Sequence, residues 1–372
     1  IVAGLWKDLD PKFAANMAWM HAEHGADNLG IGWSFPSMTG YKTMLAGGAI
    51  KPKRPAYGSS WFAKTGVVLR NTMGSDRETY LHLIAGNNHD HYDYDSGSIV
   101  LWGKGRVLAD DWGYIGRHAR KYHSLLSSSA AGGNMQIKEF AAQGSLDYVN
   151  GLKGAWRRQI AFCKDVDPSG PNFFMIRDTH DAEAAATWRL WLTTQADIAA
   201  DKKDRAKNPS SIRLHAQGAT VLGPDDVDLD IFMHQADKLK LKIETAAQKL
   251  SCANRNGKVG PATISQTALV ASLEKRGAVI TLLYPRLKTE KPPKVAWSAD
   301  GRIAKVISPA GTDYVFLSPE ASKAESSEIS FHGTVGTVQI RGKKEVLTLG
   351  AGGEIRRGAR KLTSGQPETQ AK

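Results

Sequence analysis

The densest concentration of groups able to move protons or hold a metal ion is the run Asn87-Asn88-His89-Asp90-His91-Tyr92-Asp93-Tyr94-Asp95-Ser96-Gly97-Ser98. On an extended chain alternate side chains share a face. His89, His91, Asp93 and Asp95 then line one surface, with Asp90, Tyr92 and Tyr94 on the other. Imidazoles and carboxylates converging on one face suit zinc or a similar divalent cation. A solvated acidic loop with two incidental histidines explains the same polarity, so composition leaves both readings open. Further on, Asp110-Asp111-Trp112-Gly113 follows a hairpin and can return its carboxylates beside the histidine run. Arg117-His118-Ala119-Arg120-Lys121-Tyr122-His123-Ser124 then adds imidazoles and a basic cluster, whose alternative role is ordinary surface polarity.

The elements that must position these groups are mostly strands. Gly66 to Arg70, Thr79 to Ile84, Ser98 to Trp102 and Arg106 to Ala109 alternate or carry β-branched residues, and Gly103-Lys104-Gly105 is a hairpin turn. Further strands are expected at Met135 to Phe140, Trp156 to Lys164, Asn172 to Arg177, Thr187 to Thr194 and Ile212 to Leu214. Asp237 to Leu250 reads as either strand or helix. Many short strands with polar turns predict a large two-layer antiparallel β-sandwich. One helix stands apart from them: Asp10 can cap it, Pro11 suits its first turn and Gly25 its end, with Phe13, Met17 and Met20 at helical spacing. After Lys291-Pro292-Pro293-Lys294 the strands become shorter and more regular, as in a small C-terminal sheet. The expected divisions are residues 1–55 for a helical segment and linker, 56–291 for the sandwich, 292–363 for the small sheet, and 364–372 for a polar disordered tail.

The order of these motifs resembles the heparinase II/III-like polysaccharide lyase family. Gly66-Val67-Val68-Leu69-Arg70, Glu78-Thr79-Tyr80-Leu81, Gly86 and the His/Asp run come first. Gly97-Ser98-Ile99-Val100-Leu101, Leu108-Ala109-Asp110-Asp111-Trp112-Gly113 and Tyr122-His123-Ser124 follow. Trp156-Arg157-Arg158-Gln159-Ile160 and Phe173-Phe174-Met175-Ile176-Arg177-Asp178 continue the likeness. The resemblance implies an α/α toroid ahead of the sandwich, of which the N-terminal helix is a short remnant. It also implies zinc, or another divalent cation, in the sandwich, and cleavage of uronate-containing polysaccharide by β-elimination. Carried over residue by residue, it makes Asp93, Asp111 and His123 the metal ligands and His91 catalytic. Aligning the His-x-His pair instead makes His89 catalytic and His91 a ligand. The family's remaining catalytic Tyr and His belong to the toroid, so the chain by itself is expected to turn over poorly or not at all.

Elimination has its own chemical requirements. Removing the weakly acidic proton at C5 of a uronate requires the neighbouring carboxylate's charge to be offset, and a His or Tyr within reach to take the proton. His91, Tyr92 and Tyr94 are suitable proton carriers, although tyrosines here can equally pack or stack on sugar. Arg117 and His118 are suited to binding substrate, and Asn87 and Asn88 can donate to its carboxylate.

Composition narrows the partners. A formal charge of +12 favours a polyanionic partner; nucleic acid, an anionic membrane surface and an acidic polysaccharide all fit, and the resemblance implies the last. The basic residues are scattered, and pairs such as Arg157 and Arg158 read mainly as solvated faces. No nucleic-acid-binding motif is present, and no apolar run is long enough to insert in a membrane. A homodimer is an oligomer to test. The resemblance implies a periplasmic or secreted location. Cys163, in an apolar strand, is expected as a buried thiol. Two other functions stay in view: a uronyl C5-epimerase on the same fold, and a non-catalytic module that binds acidic glycan. A cupin-like oxygenase is disfavoured by the long downstream likeness.

Overall fold

The computed structural model describes residues 3, 6–24, 50–86, 94–110, 119–192, 211–223, 225–253, 259–350, 352–363 and 369–370. Helix α1 (Pro11–His24) begins as its sequence predicts, with the backbone N–H of Phe13 donating to Oδ1 of Asp10 at 2.9 Å. It belongs to a compact unit of Ile1–Tyr57 and Ser251–Pro261. Within that unit Asn16 donates to the Tyr57 hydroxyl at 3.2 Å, and the Arg54 guanidinium lies 5.9 Å from the Trp19 ring centroid.

The second unit, Gly58–Leu250 with Ala262–Lys372, is built on antiparallel sheets. The first sheet runs β1 (Ser60–Phe62), β2 (Gly66–Asn71), β3 (Thr79–Ile84), β4 (Ile99–Gly103), β5 (Arg106–Ala109), β11 (Ala186–Leu192), β16 (Val259–Leu273), β15 (Lys242–Ala253), and β6 (Leu126–Ser127) pairs with β11. The second runs β12 (Ser211–His215), β13 (Gly218–Leu222), β14 (Val227–Met233), β17 (Gly277–Leu287), β10 (Phe173–His180), β9 (Trp156–Cys163), β8 (Leu146–Lys153), β7 (Gln136–Ala142). The third runs β18 (Lys294–Trp297), β19 (Ile303–Ser308), β20 (Gly311–Glu325), β21 (Ser330–Arg341), β22 (Lys344–Leu349), β25 (Thr369–Gln370). Here β23 (Gly353–Arg357) pairs with β21 and with β24 (Arg360–Thr363). The segment 237–250, ambiguous in sequence, resolves into a 3-10 turn at Ala236–Leu239 and the start of β15.

Side-chain alternation explains the layering. In β10, Phe174 and Ile176 join Val67, Leu81, Ile99 and Trp188 in the core between the first and second sheets. Phe173 and Met175 point the other way and pack with Leu282, Val306, Val315 and Leu317 against the third sheet. Cys163 lies in this second core as a free, buried thiol. The sandwich is therefore backed by the third sheet, which leaves the second sheet apolar on both faces. At the β4–β5 hairpin, Lys104 and Gly105 take φ of 49° and 82°, the paired left-handed geometry that a tight hairpin turn needs.

Candidate functional site

The described part of the site grows out of the connection entering β4. Gly97 has φ 98°, and a Cβ there would lie 2.5 Å from two ring atoms of Trp156. Only glycine fits both conditions. Its N–H donates to the Ile84 carbonyl at 2.7 Å, and the N–H of Ser98 donates to the Asp95 carbonyl at 2.6 Å. Just before it, Tyr94 holds φ 58° and is 41% exposed. A left-handed tyrosine is uncommon, and such residues concentrate where a fold holds a side chain for use.

The segment carrying His123 is locked onto this turn by serines. The N–H of Ser124 donates to Oγ of Ser98 at 3.0 Å, and Oγ of Ser124 accepts from the N–H of Trp191 at 2.9 Å. The indole N–H of Trp191 donates in turn to the Lys121 carbonyl at 3.0 Å. His123 is buried between these fixed points, one residue from Ser124. The two segments that sequence reasoning sought to unite are thus adjacent at their described ends.

A buried charge cluster braces both. Arg158 and Asp178 are cross-strand partners on the face that looks into the sandwich. Nε and Nη2 of Arg158 donate to the two carboxylate oxygens of Asp178 at 2.7 and 2.9 Å. The indole N–H groups of Trp156 and Trp188 complete the carboxylate's shell at 2.8 and 2.7 Å. Nη1 of Arg158 then donates to the carbonyls of Gly97 and Ser124 at 2.6 and 2.8 Å. One guanidinium therefore holds the residue that closes the histidine run and the residue that follows His123. A second buried cation, Lys153, donates to the Ser96 carbonyl at 2.6 Å. Burial pulls its pKa down to about 8, with Arg120 and Arg158 adding to the effect and Asp95 opposing it.

Of the residues expected to act, Tyr94 and His123 are described. Asn87, Asn88, His89, His91, Asp93, Asp111, Arg117 and His118 lie outside the described residues. Among the described residues no group of three or more His, Cys, Asp or Glu side chains forms a cation site. On chemistry the expected donors fit a divalent ion: two carboxylates with one imidazole make a hard, anionic set. The fixed backbone on either side of buried His123 suits a ligand whose orientation must be held.

The brace corrects one sequence expectation. Arg158, grouped with solvated basic residues, is fully buried. The signal was present: Trp156, Arg158, Ile160 and Phe162 share one strand face, as do Phe174, Ile176 and Asp178. An arginine and an aspartate in two apolar registers call for each other. Nothing in the sequence marked Lys153 in the same way.

No protein-family model matches the chain, and no curated protein matches it. Solved structures do. The chain is similar to the heparan sulfate lyase HepC from Pedobacter heparinus, with a TM-score of 0.54 and 14% identity, over 83% of this chain and 48% of that one. A mutant of the same lyase aligns with a TM-score of 0.51 and 14% identity, over 84% and 45%. The structure of a mutant chondroitin AC lyase from Streptomyces coelicolor A3 aligns with a TM-score of 0.46 and 13% identity, over 86% and 45%. The chain spans about half the length of these lyases (48% of the first). What the likeness defines is a polysaccharide-lyase fold. Among the described residues no helix is long and apolar enough to cross a membrane.

Proposed function

We propose that the chain is the sandwich part of a lyase that cleaves uronate-containing acidic polysaccharide by β-elimination. The observation that carries this reading is the likeness of its fold to that of heparan sulfate lyase HepC, at a TM-score of 0.54 over 83% of this chain. The clamp on Gly97 and Ser124 supports it, because that clamp fixes the ends of the two segments that carry the reactive side chains. The charge of +12 supports an anionic substrate.

In this proposal Asn87 and Asn88 donate hydrogen bonds to the uronate carboxylate, offsetting charge as the C5 proton leaves. Arg117 and His118 hold the neighbouring anionic sugar. His91 is the proton carrier on this chain, with His89 in that place under the other alignment. The C5–H electron pair becomes the C4–C5 double bond, and the C4–O bond breaks. The departing oxygen takes a proton, for which Tyr94 is the candidate donor on this chain. Asp93, Asp111 and His123 would hold a divalent cation, zinc by family likeness, which would supply positive charge and tie the loops together. The family's toroid residues complete the base and acid, and a periplasmic or secreted location goes with the same reading.

The test is to incubate the full-length protein with heparan, chondroitin, alginate and ulvan-type substrates and follow ultraviolet absorbance of unsaturated uronate. Product from at least one uronate polymer is expected. Binding without product, across all of them, would leave only a glycan-binding module.

A further inference from the structure

On the opposite face of the second sheet from Asp178 lies a cavity of about 350 Å³, between β10 and the third sheet. That volume is at the small end of ligand pockets. It is lined by Arg177, Asp300, Arg302, Ser318, Ser322 and the bulged turn of β20 between them. The bulge arises where pairing with β21 shifts between Leu317 and Ser322, so Pro319, Glu320 and Ala321 arch away and open the space.

The cavity's chemistry is set by Arg177. Its side chain is half-buried, yet Nε and Nη1 are fully buried and have no hydrogen-bond partner among the described residues. Burial pulls the guanidinium below the usual arginine range, against the attraction of Asp300 and with the repulsion of Arg302. Asp300 is engaged elsewhere: it accepts from Nε of Arg302 at 2.6 Å, from the Arg302 N–H at 3.0 Å and from Ser298 at 2.7 Å. Arg302 also donates to Oγ of Ser322 at 2.8 Å, and that hydroxyl lies 2.8 Å from Oγ of Ser318. Arg157 approaches the same turn, donating to the Pro319 carbonyl at 2.7 Å. Glu320 is exposed on the rim. Gln159, the cross-strand partner of Arg177, leaves its own Oε1 unpartnered, but a neutral acceptor cannot offset the charge. Three arginines thus face two carboxylates, one carboxylate is committed to Arg302, and the buried donors of Arg177 are unused.

We infer that this cavity binds a small oxyanion of sulfate or carboxylate type, held by the edge of the Arg177 guanidinium that lines it and by the Ser318–Ser322 hydroxyl pair. A guanidinium offers charge-assisted donors to such a group, and a desolvated, unpaired cation is the costly arrangement that an anion relieves. The site is distinct from the elimination site of the proposed function and does not depend on it: the brace on Gly97 and Ser124 occupies the other face of the same sheet. Both a free inorganic anion and a sulfo or carboxyl group on a sugar carry this chemistry.

The test titrates the full chain with sodium sulfate and separately with sodium glucuronate, at ionic strength held constant with chloride, by calorimetry and thermal shift. Saturable binding of at least one is expected, with a melting temperature that rises to a plateau. Tighter binding of sulfate points to a free ion or sulfo group, and tighter binding of glucuronate to a saccharide carboxylate. Arg177→Gln should weaken binding by at least about tenfold, the loss expected when charge-assisted bonds to one oxyanion are removed. Without anion, Arg177→Gln should melt no lower than the parent chain, because it removes an uncompensated buried charge; this separates loss of a site from loss of the fold. Ser322→Ala supplies a milder loss of binding in a variant that keeps the cation. Absence of saturable binding by both probes, or unchanged binding by Arg177→Gln, overturns the inference.

Discussion

Replacing Arg158 with Met removes the brace while keeping an unbranched side chain of similar length. Asp178, fully buried, then keeps two indole donors but loses its counter-charge and two bonds of 2.7 and 2.9 Å. Breaking a buried pair from one side costs about 3–5 kcal/mol. The carbonyls of Gly97 and Ser124 also lose their donor, and a buried acceptor left unmade costs about 1–3 kcal/mol. These contributions overlap, so about 4 kcal/mol is expected for Arg158→Met, a large part of the roughly 5–15 kcal/mol that holds a folded protein together. Urea unfolding followed by tryptophan fluorescence reads it directly, since Trp156 and Trp188 both donate to Asp178. Adding Asp178→Asn to Arg158→Met removes the stranded charge and should return about 0.5–3 kcal/mol, the range for residues in direct contact. A cost below about 1 kcal/mol for Arg158→Met would refute the reasoning, because buried charges at these distances cannot be indifferent to each other.

Gly97→Ala should destabilise by about 2–5 kcal/mol, combining backbone strain with the collision against Trp156, and thermal unfolding within about 1 kcal/mol of the parent would contradict that. Lys153, with its pKa pulled down to about 8, is a cation the folded state disfavours. Below pH 8 it is charged in both states and the penalty is fully present; between pH 8 and about 10.4 the unfolded chain holds more protons, so stability should rise by up to about 3 kcal/mol. Lys153→Met should flatten that rise, and an identical pH slope in the variant would remove Lys153 as its source. For the histidine run, a ligand's loss should lower metal content and melting temperature together, whereas a catalytic residue's loss should spare both. Asp93→Ala is therefore expected to lower both and His91→Ala neither; the reverse result makes His91 a ligand and His89 the catalytic candidate.

How much of this was legible depended on which layer a strand occupies. In β3 buried and half-exposed positions alternate from Thr79 to Ile84, and the sequence shows that period plainly. Leu146–Lys153, Val227–Met233 and Gly277–Leu287 lie in the second sheet, with a sheet on each side, and show no alternation to read; β9 and β10 of the same sheet were legible as apolar runs instead. A strand covered on both faces loses its alternation, as β14 does with every position buried. In the third sheet Glu328 to Phe331 and Thr337 to Arg341 read in sequence as two short alternating strands, whereas the structure has one, Ser330–Arg341. Gly333 and Gly336 lie within it, and glycines in mid-strand read as breaks. For the site, the motifs around Gly97 and Ser124 were legible, but their brace was not. Local polarity marks reactive side chains well, whereas a buried ion pair between β9 and β10 is visible only once both strand registers are compared.

The central claim is that this fold serves elimination, and its chemistry leaves an isotopic record. Reaction of the full-length protein with its best uronate polymer in oxygen-18 water, with the products weighed by mass spectrometry, separates the alternatives. Elimination takes nothing from water at the cut: the C4–O bond breaks, the glycosidic oxygen stays on C1 of the leaving sugar, and the new non-reducing end carries a C4–C5 double bond and is one water lighter than a hydrolysis product. That is the expected result. A saturated non-reducing end would contradict it, as would uncut chains that exchange their C5 hydrogen in deuterated water, the signature of an epimerase.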